Sequence, residues 1–407
     1  MCATHSSSFK LTTGSLYLMA ISVAILGSWF EISFLQVAGK IISDTFIKIF
    51  KCISLPLISL SIIATLSQYR FHQGMGLIWK KTLLYTLGTT LIAASVSMVL
   101  YCLIGPSNVT DMNNTGTFSS ETSSKPLHYL NHISSLIPSH ILEPFIDHHV
   151  IGALLISLVV GLAIGSMKDD EGKNSIAAFF KGTHGIFLVI TGWIVKIIPI
   201  ALFGFIISSI TQIKSGMHIR GLGGYLTVVI LANVIQGLVI LPLWLRSKGI
   251  APYATLKAVM PALTVAFFSK SSTGTLPITI ETAEKNLKIN PTLSRFILPL
   301  CTTINMNGCA AFIFATVVFL MQNNGIELSY MSMVLWIFIA TLAAIGNAGV
   351  PMGCFFLSAS LLTSMDVPIT LLGLILPFYS IIDMVETSLN VWSDVCVTQV
   401  IDHESKA

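Results

Sequence analysis

Charge is what this sequence has least of. Only 10% of its 407 residues are Asp, Glu, Lys or Arg, while 54% are hydrophobic; soluble domains carry roughly a quarter charged residues. The mean hydropathy is +0.83. A chain so poor in charge cannot cover a water-soluble surface. Its repeated apolar stretches, of about the 20 residues that cross a bilayer as a helix, predict an all-α polytopic membrane protein. Seven cysteines stand at Cys2, Cys52, Cys102, Cys301, Cys309, Cys354 and Cys396, with no Cys-x-x-Cys pair. That scatter argues against a disulfide framework or a zinc site and leaves small apolar packing as their expected role. A net charge of +4 is too small for nucleic-acid binding. Lys and Arg are missing altogether between Arg295 and Lys406.

That last absence gives weight to what stands inside it. Asp383, Glu386, Thr387, Asn390 and Asp394 lie at offsets 0, 3, 4, 7 and 11, on one helical face of the apolar stretch Leu374 to Val400. Val385, Leu389, Val391 and Trp392 take the opposite face. Three carboxylates in a membrane-length helix need cations. Unless a basic residue reaches in from earlier in the chain, those are protons, metal ions or a cationic ligand group. A solvated amphipathic helix is disfavoured, because the flanks are too apolar.

Taken in order, the chain begins with a short polar segment, Met1 to Lys10, without a convincing cleavage site. Spans are predicted at Leu16 to Phe34, Ile41 to Leu66 (with Pro56), Leu83 to Ile104, Val150 to Met167, Phe187 to Ile210 (with Pro199) and Leu222 to Leu245. The third carries hydroxyls, including Thr89 and Thr90, expected to bond back to backbone carbonyls. Pro106 to His149 is rich in Ser, Thr, Asn and His and reads as a long external loop. Lys and Arg favour the connections at 70–81, 168–181 and 246–257 and are sparse at 106–149. This alternation places both chain ends on the cytoplasmic side of a cell membrane.

Beyond residue 250 the pattern breaks. Ala262 to Phe268 is a short apolar arm running into Ser269-Lys270-Ser271-Ser272-Thr273-Gly274-Thr275-Leu276-Pro277. Val334 to Ala344 is another, meeting Gly346-Asn347-Ala348-Gly349-Val350-Pro351 before Phe355 to Leu362 returns. Each hydroxyl, Gly and Pro tip reads as a re-entrant hairpin. A polar-interrupted span follows each: Leu298 to Leu320, broken around Asn305-Met306-Asn307-Gly308-Cys309, and Leu374 to Val400. Paired broken segments point to an inverted-repeat transporter. Half-helix ends offer N–H groups to anions and carbonyls to cations.

These motifs, in this order, resemble those of the dicarboxylate/amino acid:cation symporters, the glutamate transporter family. Ser271 to Pro277 is similar to the Ser-rich first hairpin tip. Asn305 to Cys309 is similar to the Asn-Met-Asp-Gly-Thr of the seventh helix, Gly346 to Pro351 to the second tip, and Asp383 to Asp394 to the eighth helix. The resemblance implies eight transmembrane helices, two re-entrant hairpins and a homotrimer with an elevator mechanism. Residues 1–250 would hold helices 1–6, mostly trimerising scaffold, and 251–407 the transport core. It implies that Asp383 binds the substrate ammonium and Asn390 its carboxylate, with Ser272, Thr273, Met306, Cys309, Val350, Glu386 and Thr387 lining the pocket. One sodium would sit on Asn305, Asn390, Asp394 and the Cys301 carbonyl. A second would use backbone oxygens of Thr303, Ala344, Ile345 and Asn347, and a third would involve Thr89, Thr90 and Asn307.

Three residues depart from the family pattern. Asn307 replaces an Asp, which weakens the third cation site. Cys309 replaces a Thr. Glu386 replaces the Arg that pairs an acidic side chain. The resulting expectation is a sodium-coupled symporter of a small neutral or cationic amino acid, proton coupling being a further option. The alternative is a glutamate, aspartate or C4-dicarboxylate carrier that recruits another base such as Lys270. An ion channel and an intramembrane enzyme are the readings from other classes. The enzyme is disfavoured because no Ser/His pair or zinc ligand set is apparent at membrane depth.

Overall fold

The computed structural model describes residues 13–30, 33–67, 76–109, 138–146, 150–214, 220–326, 328–347, 349, 352–365, 367–369 and 371–406. They contain helices and turns and no strand. The expectations for Met1 to Lys10, for most of the polar loop, and for Ala348, Val350 and Pro351 fall outside the described residues.

The first three helices are α1 (Thr13–Trp29), α2 (Ser33–Ser67) and α3 (Gly76–Ile104). After the loop come α4 (Val150–Gly165), α5 (Asp170–Lys214) and α6 (Arg220–Ile235), which passes through a π-helical turn (Gln236–Ile240) into α7 (Leu241–Ser247). The two hairpins are α8 (Pro252–Ser269) with α9 (Ser272–Lys285), and α12 (Tyr330–Ile345) with α13 (Gly353–Thr363). Between them lie α10 (Pro291–Ile304) and α11 (Asn307–Asn323); α14 (Leu372–Lys406) ends the fold. Helices α1, α2, α4 and α5 pack on one another, α11 packs against α3, α6, α12, α13 and α14, and α8 packs against α9 and α14. The groups meet where α13 touches α2 and α14 touches α5.

Among the described residues, five helical stretches are long and apolar enough to cross a membrane: Gly76–Ile104, Asp170–Ile194, Gly221–Ser247, Pro291–Asn323 and Leu372–Lys406. This is a multi-pass membrane protein. Helix α3 explains how such an element packs. It turns Leu77, Leu84, Leu87, Ile92, Val99 and Leu103 outward and buries Thr82, Thr86, Thr89, Thr90, Ala93, Ala94 and Ser97. Small and hydroxyl side chains let helices approach closely where lipid leaves no hydrophobic drive between them. The expected back-bonding holds for Thr86, whose Oγ1 donates to the Leu83 carbonyl at 3.0 Å, and for Thr89, whose Oγ1 donates to that of Tyr85 at 2.9 Å, but not for Thr90, whose Oγ1 has no partner among the described residues.

Two elements run longer than hydropathy predicts. Helix α8 starts at Pro252, well before the apolar arm at Ala262, and α5 starts at Asp170 inside the charged connection. Pro at the first helical position and acids in the first turn both favour a helix start. A hydropathy window sees neither.

Candidate functional site

The break in the seventh predicted span is sharp. Helix α10 stops at Ile304; Asn305 and Met306 leave the helical region with ψ of 72° and 66°; α11 starts at Asn307. The Asn305 N–H still bonds to the Cys301 carbonyl at 2.8 Å, and the Asn305 side chain spans the gap. Its Nδ2 donates to Ser393 Oγ and to Asp394 Oδ1, both at 2.9 Å. Its Oδ1 accepts from Thr89 Oγ1 at 3.0 Å and from Asn307 Nδ2 at 2.9 Å. Asn307 Nδ2 also reaches Ser393 Oγ at 2.9 Å. Gln236 Nε2 closes the network, 2.7 Å from Asn307 Oδ1 and 3.1 Å from the Thr89 carbonyl. Buried oxygens without a partner among the described residues include Asp394 Oδ2, Thr90 Oγ1 and Gln236 Oε1. Unpaired buried oxygens are costly in a dry interior.

The first turn of α11 binds α14 closely. The Gly308 N–H donates to Asn390 Oδ1 at 2.9 Å, and Asn390 Nδ2 lies 3.3 Å from Cys309 Sγ. A Cβ at Gly308 would stand 2.8 Å from Glu386 Cα and 2.9 Å from Asn233 Oδ1. Only glycine lets the broken helix lie this close to the acidic face.

The hairpin tips meet above that face. Lys270 in the left-handed region (φ 54°) turns the chain between α8 and α9, and Ser271 Oγ caps α9 by accepting from the Gly274 N–H at 3.0 Å. Ser271 Oγ and Thr273 Oγ1 donate to the Gly349 carbonyl at 3.2 and 3.1 Å. Gly349 has φ of 63°, and a Cβ there would press on Thr273 Oγ1 and the Thr302 carbonyl. Met352, also left-handed at φ 66°, donates its N–H to Asp383 Oδ2 at 3.2 Å. Thr387 Oγ1 bonds back to the Asp383 carbonyl. Asp383, Glu386, Asn390 and Asp394 are all buried. The three acids form no ion pair among the described residues. The basic residue that reaches in from earlier in the chain is Lys270, whose Nζ bonds to Ser380 Oγ at 2.6 Å rather than to Glu386. The Arg295 guanidinium, one turn into the Pro291–Asn323 stretch, grips Glu284 of α9 at 2.9 and 3.0 Å, holding that carboxyl below its usual range and tying α9 to α10.

Of the other expected site residues, Ser272 is buried at the start of α9 and Met306 in the helix break. Thr303 bonds to its own helix, the Ala344 carbonyl accepts from the Asn347 N–H, and Ile345 ends α12. Val350 is not among the described residues. Sequence reading missed Gln236 and Ser393. Gln236 could have been noticed as a polar residue deep in an apolar span. The π turn aims it inward, and Trp392 Nε1 bonds to the Gly237 carbonyl at 3.0 Å.

As expected, the buried cysteines Cys309 and Cys354 pack in the core, but these two also adjoin an acid. Cys309, Cys354 and Glu386 come from three different helices, yet their sulfur and carboxylate atoms lie within 4.8 Å of one another. Chain spacing could not reveal a cluster assembled by tertiary contact.

The Sodium:dicarboxylate symporter family matches residues 15–404. The putative sodium-dependent excitatory amino acid transporter glt-4 of Caenorhabditis elegans is 32% identical over 258 residues, 62% of this chain and 51% of that protein. Neutral amino acid transporter B(0) of Mus musculus is 31% identical over 248 residues, 60% of this chain and 44% of the relative. Neutral amino acid transporter A of Homo sapiens is 31% identical over 257 residues, 63% and 48% respectively. The matched part thus spans about half the length of these relatives. A match reaching from the first helix to the end of the last, joined to a broken helix, two touching tips and a buried acidic face, assigns the fold: the chain belongs to the sodium:dicarboxylate symporter family.

Proposed function

We propose that this protein is a secondary active symporter that carries a small amino acid with sodium, its substrate having a neutral or cationic side chain. The observation that carries the reading is the buried acidic face of α14, without an ion pair among the described residues, beneath the tip-to-tip contact. Asp383 takes the substrate ammonium as a charge-assisted bond, and Asn390 with the first turn of α11 takes the carboxylate. Ser272, Thr273 and Val350 close over it; Met306, Cys309, Glu386 and Thr387 complete the pocket.

Sodium is co-substrate here. Asp394, with its free Oδ2, anchors one ion with Asn305, Asn390 and the Cys301 carbonyl; Thr303, Ala344, Ile345 and Asn347 serve a second. The third set differs. Asn307 Oδ1 already accepts an amide from Gln236, so a neutral donor stands where a cation would be held, and fewer ions are coupled. Residues 1–250 act as scaffold of a homotrimer, apart from α3, and 251–407 as the moving core with two hairpins, in an eight-span elevator with both termini cytoplasmic.

Glu386 sets the side-chain preference. Two like charges about 4 Å apart at an effective dielectric near 20 cost about 4 kcal/mol, roughly a thousandfold in affinity. An ionised Glu386 therefore rejects glutamate and aspartate, and a protonated one suits a neutral polar side chain. An acidic substrate would need Lys270 to leave Ser380. The test is uptake of labelled amino acids into proteoliposomes with and without a sodium gradient, with a competition panel at several pH values. Sodium-driven accumulation of neutral or basic amino acids is expected. Tight sodium-coupled glutamate binding would replace the substrate assignment, and ion current without accumulation would favour the channel.

A further inference from the structure

We propose that Cys309, Cys354 and Glu386 form a site for a thiophilic divalent cation of the zinc type, distinct from the sodium sites. The three residues are each 1% exposed. They come from the first turn of α11, the first turn of α13 and the middle of α14, and their ligand atoms lie within 4.8 Å of one another. A tetrahedral zinc ion with Zn–S bonds of about 2.3 Å holds its donors roughly 3.5–4 Å apart, so a small inward movement completes the geometry.

A second, independent observation points to a ligand. Glu386 Oε1 is buried and has no hydrogen-bond partner among the described residues. Beside it, Asn347 Nδ2 lies 2.8 Å from Cys309 Sγ and 3.4 Å from Cys354 Sγ, while Asn347 Oδ1 is also buried and unpartnered. Half a turn of that amide brings an oxygen to the sulfurs as a fourth donor. Two sulfurs and a carboxylate are a donor set for zinc or cadmium, not for sodium, which takes hard oxygens. Binding releases the two thiol protons, and the carboxyl proton where Glu386 carries one, to solvent; it forms two metal–thiolate bonds and one metal–carboxylate bond with no change of oxidation state.

The placement gives the site a consequence. Cys354 stands two residues beyond Met352, whose N–H holds Asp383. A metal there fastens the second hairpin to α11 and α14. The site itself needs no transport activity, so its failure and the failure of the symporter reading are separable.

The test uses the full-length chain in detergent, with Cys2, Cys52 and Cys102 replaced by serine to remove competing thiols. Titration with cadmium is followed by the thiolate-to-metal charge-transfer band, and zinc competes it away. One cadmium per chain is expected. Cys354→Ser should weaken it at least tenfold, and Glu386→Gln should weaken it at least tenfold while keeping the band. Absence of the band in the three-serine chain overturns the proposal without reference to any site variant. So does cadmium affinity unchanged by Cys354→Ser, or by Glu386→Gln, which would mean a dithiol contact without the carboxylate.

Discussion

Asp394 illustrates how a single residue can carry coupling. One carboxylate oxygen accepts from Asn305 at 2.9 Å and the other has no partner among the described residues. Leaving a buried carboxylate half-satisfied is expensive, and a bound sodium relieves that cost. Asp394→Asn removes the charge and keeps the shape. It should weaken sodium by about 1.5–3 kcal/mol, the scale of a charge-assisted bond, or roughly 10- to 100-fold. Substrate binding measured across sodium concentrations checks this; the variant should lose most of its sodium dependence, and an unchanged curve would remove Asp394 from the ion site. Glu386 shows the limit of reading one residue from its offset. The spacing put it on the Asp383 face, as it is, with Tyr379 two turns earlier on the same helix at 3.4 Å, but the two thiols beside it come from packing.

At the scale of the element, the second tip is the gate of the proposed symporter. Met352 holds a left-handed conformation that non-glycine residues adopt at a cost of about 1–3 kcal/mol. Among the described residues, Met352 reaches Asp383 through a 3.2 Å bond, and Ser271 and Thr273 reach the Gly349 carbonyl. A thiol introduced as Ala348→Cys should react quickly with a polar reagent in the absence of ligand and at least tenfold more slowly with sodium and substrate together. Equal rates would describe a static turn. The rest of α14 is anchored differently: at its end Glu404 takes Lys81 at 2.7 Å, Lys248 at 2.8 Å and Tyr85 at 2.7 Å. Those bonds fix the end of the helix on α3 and on Lys248 just beyond α7.

At the scale of the whole molecule, helices α1 and α5 leave large apolar side chains outward, among them Leu26, Trp29, Phe179, Ile186 and Trp193. Lipid covers such a face in a monomer, and part of it is covered by subunits in the proposed trimer. The native mass of the detergent-solubilised chain, corrected for bound detergent, should equal three times 44.0 kDa. A single-chain mass in mild detergent would argue against the trimer, leaving the pocket of each chain unaffected.

The sequence by itself determined the class of the molecule and the chemistry of its face. Apolar length made the spans, Gly, Pro and hydroxyl clusters marked the two tips, and the 3.6-residue period placed five polar groups of α14 together. These are local properties, set by backbone geometry within a few turns. The sequence also signalled a break near Asn305, because an amide inside a span must find partners. Which partners it finds was decided only by the fold: Thr89 from α3, Ser393 and Asp394 from α14, and Gln236 turned inward by a π turn. The same holds for Cys309, Cys354 and Glu386, which lie far apart in the chain and share one cluster. Hydrogen bonds and metal ligation need atoms within a few ångströms in three dimensions, and no pattern along one helix encodes how three helices cross.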